Sequence, residues 1–150
     1  MTRAIELAEA AINERTGGPF GAVVVCQGRV VGEGQNRVLQ RNDPTAHAEV
    51  EAIRAASAAL SRFDLSDCEL YSSCEPCPMC LGATYWARLN SVYYAATRFD
   101  AAAIGFDDAR FYEELSRSPD ARGIPLYRLD RDSALRVFAQ WEQLDERRKY

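Results

Sequence analysis

Hydrophobic and polar positions along this chain follow two periods, one of helices and one of strands. From Thr2 to Arg15, Ile5, Ala8, Ala11 and Ile12 fall on one stripe, which predicts an amphipathic helix. Gly17-Gly18-Pro19 ends it. Phe20–Cys26 and Arg29–Glu33 are rich in β-formers and flank Gln27-Gly28, which predicts a hairpin. Asn36 to Asp43 is polar and reads as a loop. Thr45 is placed to cap a helix over Ala46 to Leu60, with Val50, Ile53 and Leu60 turned inward. Cys68–Ser72 predicts a strand, and the cysteine-rich stretch after it opens a helix reaching Leu89, with Asn90 as its C-terminal cap. Ser91–Ala96 predicts a further strand, Thr97 to Asp107 a loop, and Asp108 to Leu115 a helix. Ile124–Leu129 predicts a fifth strand, and Ser133 to Arg147 a last helix.

The order is α-β-β-α-β-α-β-α-β-α. Helices alternating with strands predict an α/β fold whose sheet is covered on both faces and runs mostly parallel after the first hairpin. A chain of 150 residues is expected to form one domain spanning 1–150, and no repeat or linker divides it. That length suffices to bury an enzyme's core, since a domain near this size hides roughly two-thirds of its unfolded surface.

Charge narrows the partners. The net charge of -4, with no basic cluster beyond Arg147-Arg148-Lys149, argues against a nucleic-acid surface. A small neutral substrate is indifferent to it. No apolar run approaches the roughly eighteen residues of a membrane span, and the start, Met1-Thr2-Arg3-Ala4-Ile5-Glu6, has no apolar signal core. The expected location is the cytoplasm. Five cysteines are an odd count, and the crowding of Cys74, Cys77 and Cys80 suits metal ligation in a reducing compartment better than a disulfide framework.

The chemistry concentrates in two stretches, Pro44-Thr45-Ala46-His47-Ala48-Glu49 and Cys74-Glu75-Pro76-Cys77-Pro78-Met79-Cys80. They supply one imidazole, two thiolates three residues apart, and a carboxylate two residues from the imidazole. A catalytic zinc takes three protein ligands and keeps a fourth position open for water, whose pKa it lowers to about 7. H-x-E followed by P-C-x-x-C is the signature of zinc nucleobase deaminases. It assigns His47, Cys77 and Cys80 as Zn2+ ligands and Glu49 as the proton carrier. Residues two apart diverge by about 200° on a regular helix, so His47 and Glu49 converge only in a first turn aimed at the site. Pro76 and Pro78 likewise suit a helix start. Two helix N-termini, each with about half a positive charge, then face one ion.

Other readings of the same residues are weighed against this one. Cys74-x-x-Cys77-x-x-Cys80 also opens an iron–sulfur run, but Thr84 stands where a further cysteine is needed. A structural zinc module would use Cys74 as a fourth ligand. Cys26 and Cys68 read as buried thiols on strands.

With these motifs in place, the chain resembles the cytidine-deaminase superfamily and, within it, the small zinc-dependent guanine deaminases of bacteria. Gly17-Gly18-Pro19-Phe20-Gly21-Ala22, Asn42 to Val50, Ser73 to Ala83, Tyr85-Trp86-Ala87-Arg88, Tyr94-Ala95-Ala96, Ile104-Gly105-Phe106-Asp107-Asp108 and the terminal Lys149-Tyr150 carry the likeness. The resemblance implies a three-layer α/β/α sandwich with a five-stranded mixed sheet. It implies a homodimer whose C-terminal segment crosses to the partner. It further implies that Asn36 hydrogen-bonds a purine base, Phe20 stacks on it, and Ala48, Trp86 and Tyr150 line or close the pocket. Asp108 becomes a second acid assisting Glu49. The implied reaction is hydrolysis of guanine to xanthine and ammonia, a step of purine catabolism. The alternatives are a tRNA adenosine deaminase, or a deaminase of guanosine, cytosine, a pterin or a triazine. Taken singly, Asn36 could merely end a strand, Phe20 and Trp86 could be core, and Asp108 could cap a helix.

Overall fold

A computed structural model describes residues 1–149; Tyr150 lies outside the described residues. The elements are α1 (Thr2–Asn13), β1 (Gly21–Cys26), β2 (Arg29–Gln35), α2 (Val38–Arg41), α3 (Ala48–Leu60), β3 (Cys68–Cys74), α4 (Pro78–Trp86), β4 (Ser91–Ala96), α5 (Arg98–Ala103), α6 (Asp108–Ser116) and α7 (Arg131–Glu142). They belong to an α/β fold with a mixed sheet in the order β2-β1-β3-β4. β1 runs antiparallel to both β2 and β3, and only β3–β4 is parallel. The chain divides into two compact units, Met1–Tyr112 and Glu113–Tyr150.

The hairpin forms where expected because Gln27 (φ 49°) and Gly28 (φ 75°) both take left-handed backbone, the twist that a two-residue turn between antiparallel strands requires. Alternation along the strands sorts the faces. Ala22, Val24 and Cys26 of β1 and Cys68 and Leu70 of β3 join Ala48, Ala52, Ala56 and Leu65 in one buried cluster beneath α3. α3 can lie close because β2 presents Gly32 and Gly34, where a Cβ would overlap its backbone at Ala52 and Ala48. Val23 points to the opposite face, where α1 seats Ala4, Leu7, Ala8 and Ala11. Helices therefore cover both faces.

Several expectations are corrected. The sheet has four strands, not five: residues 124–129 take no strand pairing. Parallel pairing is correspondingly the minority. The polar stretch after Asn36 contains the short helix α2. The expected loop after β4 contains α5, nucleated by a capping box in which Thr97 Oγ1 accepts from Asp100 N while the Asp100 carboxylate accepts from Thr97 N at 2.8 Å. α4 ends at Trp86 rather than Leu89, and Arg88 (φ 59°), not Asn90, takes the left-handed turn after it. Thr45 does not cap α3. Asp43 captures it instead, accepting from Thr45 N at 2.8 Å and Oγ1 at 2.7 Å, and the cap moves to His47. α7 starts two residues before Ser133 and ends at Glu142.

Within the second unit, Gly123 N donates to Glu114 Oε2 at 2.7 Å and Leu126 N to Pro119 O at 3.3 Å. Ile124, Leu126, Tyr127 and Leu129 stand well exposed in the stretch before α7. Among the described residues, no helix is long and apolar enough to cross a membrane.

Candidate active site

The site is built where α3 and α4 begin. His47 is the N-cap of α3 (φ -73°, ψ 153°) and Cys77 the N-cap of α4 (φ -64°, ψ 168°). Both caps have extended backbone, which leaves their side chains projecting past the helix ends. Pro78 occupies the first helical position of α4, where its missing N–H costs nothing. Glu49 is then the second residue of α3 and Cys80 the third of α4. The first turn resolves the divergence that two-residue spacing imposes on a helix interior.

His47 Nδ1 lies 3.5 Å from Cys80 Sγ and 3.7 Å from Cys77 Sγ. The three ligand atoms sit within 4.8 Å of one another. A tetrahedron with zinc–sulfur bonds of about 2.3 Å and zinc–nitrogen bonds of about 2.0 Å has nitrogen–sulfur edges of about 3.5 Å, so this donor set fits a zinc ion. Cys74 is not in the group. Its Sγ donates to Thr97 O at 3.5 Å, and burial pushes its thiol up to about 12. Three donors with no fourth among the described residues is the pattern of an open site.

Glu49 is 5% exposed. Its Oε1 accepts from Ser72 Oγ at 3.1 Å and its Oε2 from Cys80 Sγ at 3.3 Å. Burial raises its pKa, so this carboxylate holds a proton more readily than an exposed one. The hydrogen bonds from Cys80 and then from His47 draw the Cys77 thiol down to about 4. Cys80 is pushed up by its hydrogen bond with Cys77 and by burial. His47 is raised, foremost by its hydrogen bond to Cys77. Negative charge thus gathers at Cys77, beside the N-terminus of α4.

The loop carrying Cys77 is clamped from outside. Glu75 accepts from Arg98 N at 2.9 Å and Arg98 Nη1 at 3.0 Å, and Tyr112 Oη donates to Pro76 O at 2.8 Å. The Arg98 guanidinium lies 4.6 Å over the Tyr112 ring, joining both clamps.

A cavity of about 550 Å³ opens over these groups, lined by His47, Glu49, Cys77, Asn36, Phe20 and Asp108 among others. Asn36 is buried, and its Oδ1 accepts from Gly18 N at 3.3 Å and Val38 N at 3.2 Å. Phe20 meets Phe106 edge-on with ring centroids 4.7 Å apart. Gly18 lets both rings in, because a Cβ there would stand 2.7 Å from Phe106 Cζ and 2.9 Å from Phe20 Cε2. Asp108 begins α6, is half-buried, and is raised first by that burial. The remaining expected residues fall elsewhere. Ala48 is fully buried under β2 and does not line the cavity. Trp86 closes α4 at 67% exposure and does not line it either. Tyr150 lies outside the described residues.

Reading the sequence missed Leu39, Phe106 and Phe111 as cavity walls, and Ser72 as the partner of Glu49. Phe106 lay in a motif already singled out. Leu39 was hidden in a stretch that polarity marked as loop. Ser72 shows only the alternation that turns it to the same face as Leu70 and Cys68.

The model of the cytidine and deoxycytidylate deaminase zinc-binding region matches residues 1–96. The guanine deaminase of Bacillus subtilis is 49% identical over 150 residues, all of this chain and 96% of that protein. The crystal structure of guanine deaminase from Bacillus subtilis superposes with a TM-score of 0.95 at 50% identity, covering 99% of this chain and 95% of that one. A tRNA-specific adenosine deaminase of Agrobacterium fabrum is 36% identical over 135 residues, 89% of this chain and 88% of that protein. The chain belongs to the cytidine and deoxycytidylate deaminase family, whose zinc-binding region it carries.

Proposed function

We propose that the protein hydrolyses guanine to xanthine, consuming one water and releasing one ammonia. One observation carries the chemistry: a buried carboxylate, Glu49, stands against three metal donors on the wall of an aromatic-lined cavity. The full-length likeness to a guanine deaminase supports the substrate. Zinc, when bound by His47, Cys77 and Cys80, supplies a Lewis acid that makes water nucleophilic near neutral pH.

The chain's own groups do the rest. Glu49 takes a proton from the attacking water and returns protons to the ring nitrogen and the departing amine. Its raised pKa suits that exchange, and Ser72 fixes which oxygen faces the water. Asn36 has its amide oxygen committed to two backbone N–H groups, which leaves its NH2 to donate to an acceptor of the base. Phe20 and Phe106 provide apolar surface to the ring. Asp108 serves as a second acid near the leaving amine. Any part played by Ala48 falls to its backbone N–H.

The test is ammonia release across guanine, guanosine, adenine, cytosine and ammeline. Guanine is expected to lead clearly, and a preference for any other member overturns the substrate while leaving the proton chemistry. The likeness to a tRNA-specific adenosine deaminase makes a tRNA gel-shift at low salt the discriminating control. The net charge of -4 predicts no shift.

The same reading includes a homodimer, a three-layer sandwich and a cytoplasmic home. β4 is the edge of the sheet with Tyr93 and Tyr94 half-exposed, and Tyr85 and Trp86 are exposed on α4. Residues 124–129 are mostly apolar, exposed and without strand pairing. A second copy would exchange its C-terminal segment and bring Trp86 and Tyr150 toward a neighbouring cavity. All five cysteines are free, which suits a reducing compartment. Leu126→Lys should convert a dimer to a monomer in analytical ultracentrifugation; a monomeric parent rules the exchange out.

A further inference from the structure

At the end of β3 remote from His47, Cys26, Asp67 and Cys68 bring two thiols and a carboxylate to one point, all within 4.8 Å of each other. Cys26 and Cys68 are directly opposed residues of the antiparallel β1–β3 pair. Both are buried, on the face that α3 covers. Cys26 Sγ lies 3.5 Å from Asp67 Oδ2, and Cys68 Sγ 3.5 Å from Asp67 Oδ1. A zinc tetrahedron with sulfur at about 2.3 Å and oxygen at about 2.1 Å has sulfur–oxygen edges of about 3.5 Å. The spacing needs little change to admit an ion.

Arg62 completes the cluster. Its Nη2 donates to Asp67 Oδ1 and lies 3.9 Å from each sulfur. Two thiolates and a carboxylate carry three negative charges, which a divalent cation and this guanidinium cancel. The catalytic proposal leaves these four side chains without a task, and β3 sets Cys68 roughly 20 Å from Cys74 at the other end of the strand.

We propose that Cys26, Cys68 and Asp67 form a second site for a thiophilic divalent cation of the zinc class, with Arg62 donating hydrogen bonds to its ligands. The ion displaces the two thiol protons to solvent, two metal–sulfur bonds form, and no electron is transferred. Thiolate ligands select zinc, cobalt or cadmium over magnesium or calcium. Such an ion would tie the end of β1, the start of β3 and the segment after α3 together.

The experiment uses the full chain loaded with one zinc and kept in a thiol-free reductant, titrated with Co2+. Cobalt binds more weakly than zinc, so it leaves the first ion in place and reports thiolate ligation by its charge-transfer absorption. The wild type is expected to take up one further equivalent with that absorption, and Cys26→Ser/Cys68→Ser none. Asp67→Asn, at an exposed side chain, should weaken cobalt binding about tenfold or more. Ammonia release should stay within about twofold throughout, because the sites are distant. Equal cobalt uptake by wild type and the double variant, or a Cys26–Cys68 disulfide recovered by peptide mass spectrometry without a second metal, overturns the proposal. Because the readout is metal and not turnover, failure here is distinguishable from failure of the deaminase reading.

Discussion

At the C-terminal end of β3, Cys74 leads into a loop whose Cys77 and Cys80 meet His47, with Glu49 buried beside them. At the N-terminal end, Cys68 meets Cys26, with the exposed Asp67 beside them. The donors are alike; their surroundings are not. Burial raises the Glu49 pKa, against the lowering effect of the imidazole of the same cluster. Partial desolvation pushes Asp67 up as well, yet the hydrogen bonds from Arg62 and the two thiols hold it below the usual carboxylate range. One carboxylate is poised to exchange a proton and opens on a cavity large enough for a purine; the other is held as an anion at the surface. A proton-holding acid beside the donors distinguishes a reactive centre from a clip.

That contrast can be broken at either end. Cys80→Ser should strip zinc from the His47 site and reduce ammonia release to background, as metal analysis and turnover on one preparation would show. Next in size, Ser72→Ala removes the hydrogen bond to Glu49 Oε1. A charged-group hydrogen bond is worth about 1.5–3 kcal/mol, so kcat should fall about tenfold to a hundredfold with KM nearly unchanged. Phe106→Ala opens one wall of the cavity and should raise KM about fivefold by removing ring contact worth about 1 kcal/mol. The smallest effect belongs to Asp67→Asn in metal-free buffer. Because the folded Asp67 pKa is lowered, its stabilising contribution is present above the unfolded value of about 3.9 and is lost as pH falls through the folded value. Wild type should therefore melt above the variant at neutral pH, with the gap closing in acid. A gap that widens in acid would contradict the assignment.

How much of this was legible depends on range. The convergence of His47, Glu49, Cys77 and Cys80 was readable because it follows from local spacing at two helix starts. The hairpin was readable because Gln27-Gly28 is a turn of two residues. Thr45 misled because Asp43, two residues before it, competes for its hydroxyl and N–H, a contest that propensity alone does not decide. The Thr97–Asp100 box was present in the sequence but lay in a segment whose Gly105 suggested loop. The fifth strand was a different error: the 124–129 stretch has a strand's composition, but a strand exists only with a partner. Trp86 and Ala48 show the same limit, since which side of α3 or α4 faces the cavity is set by packing across the sheet.

The most direct measurement is ammonia release from guanine by Glu49→Gln protein, with zinc determined on the same sample. The expected result is zinc retained at the wild-type level and turnover lowered by about a thousandfold or more, the loss of general acid–base catalysis. Zinc retained with turnover within about tenfold of wild type would show that this carboxylate does not carry the protons, and would contradict the mechanism.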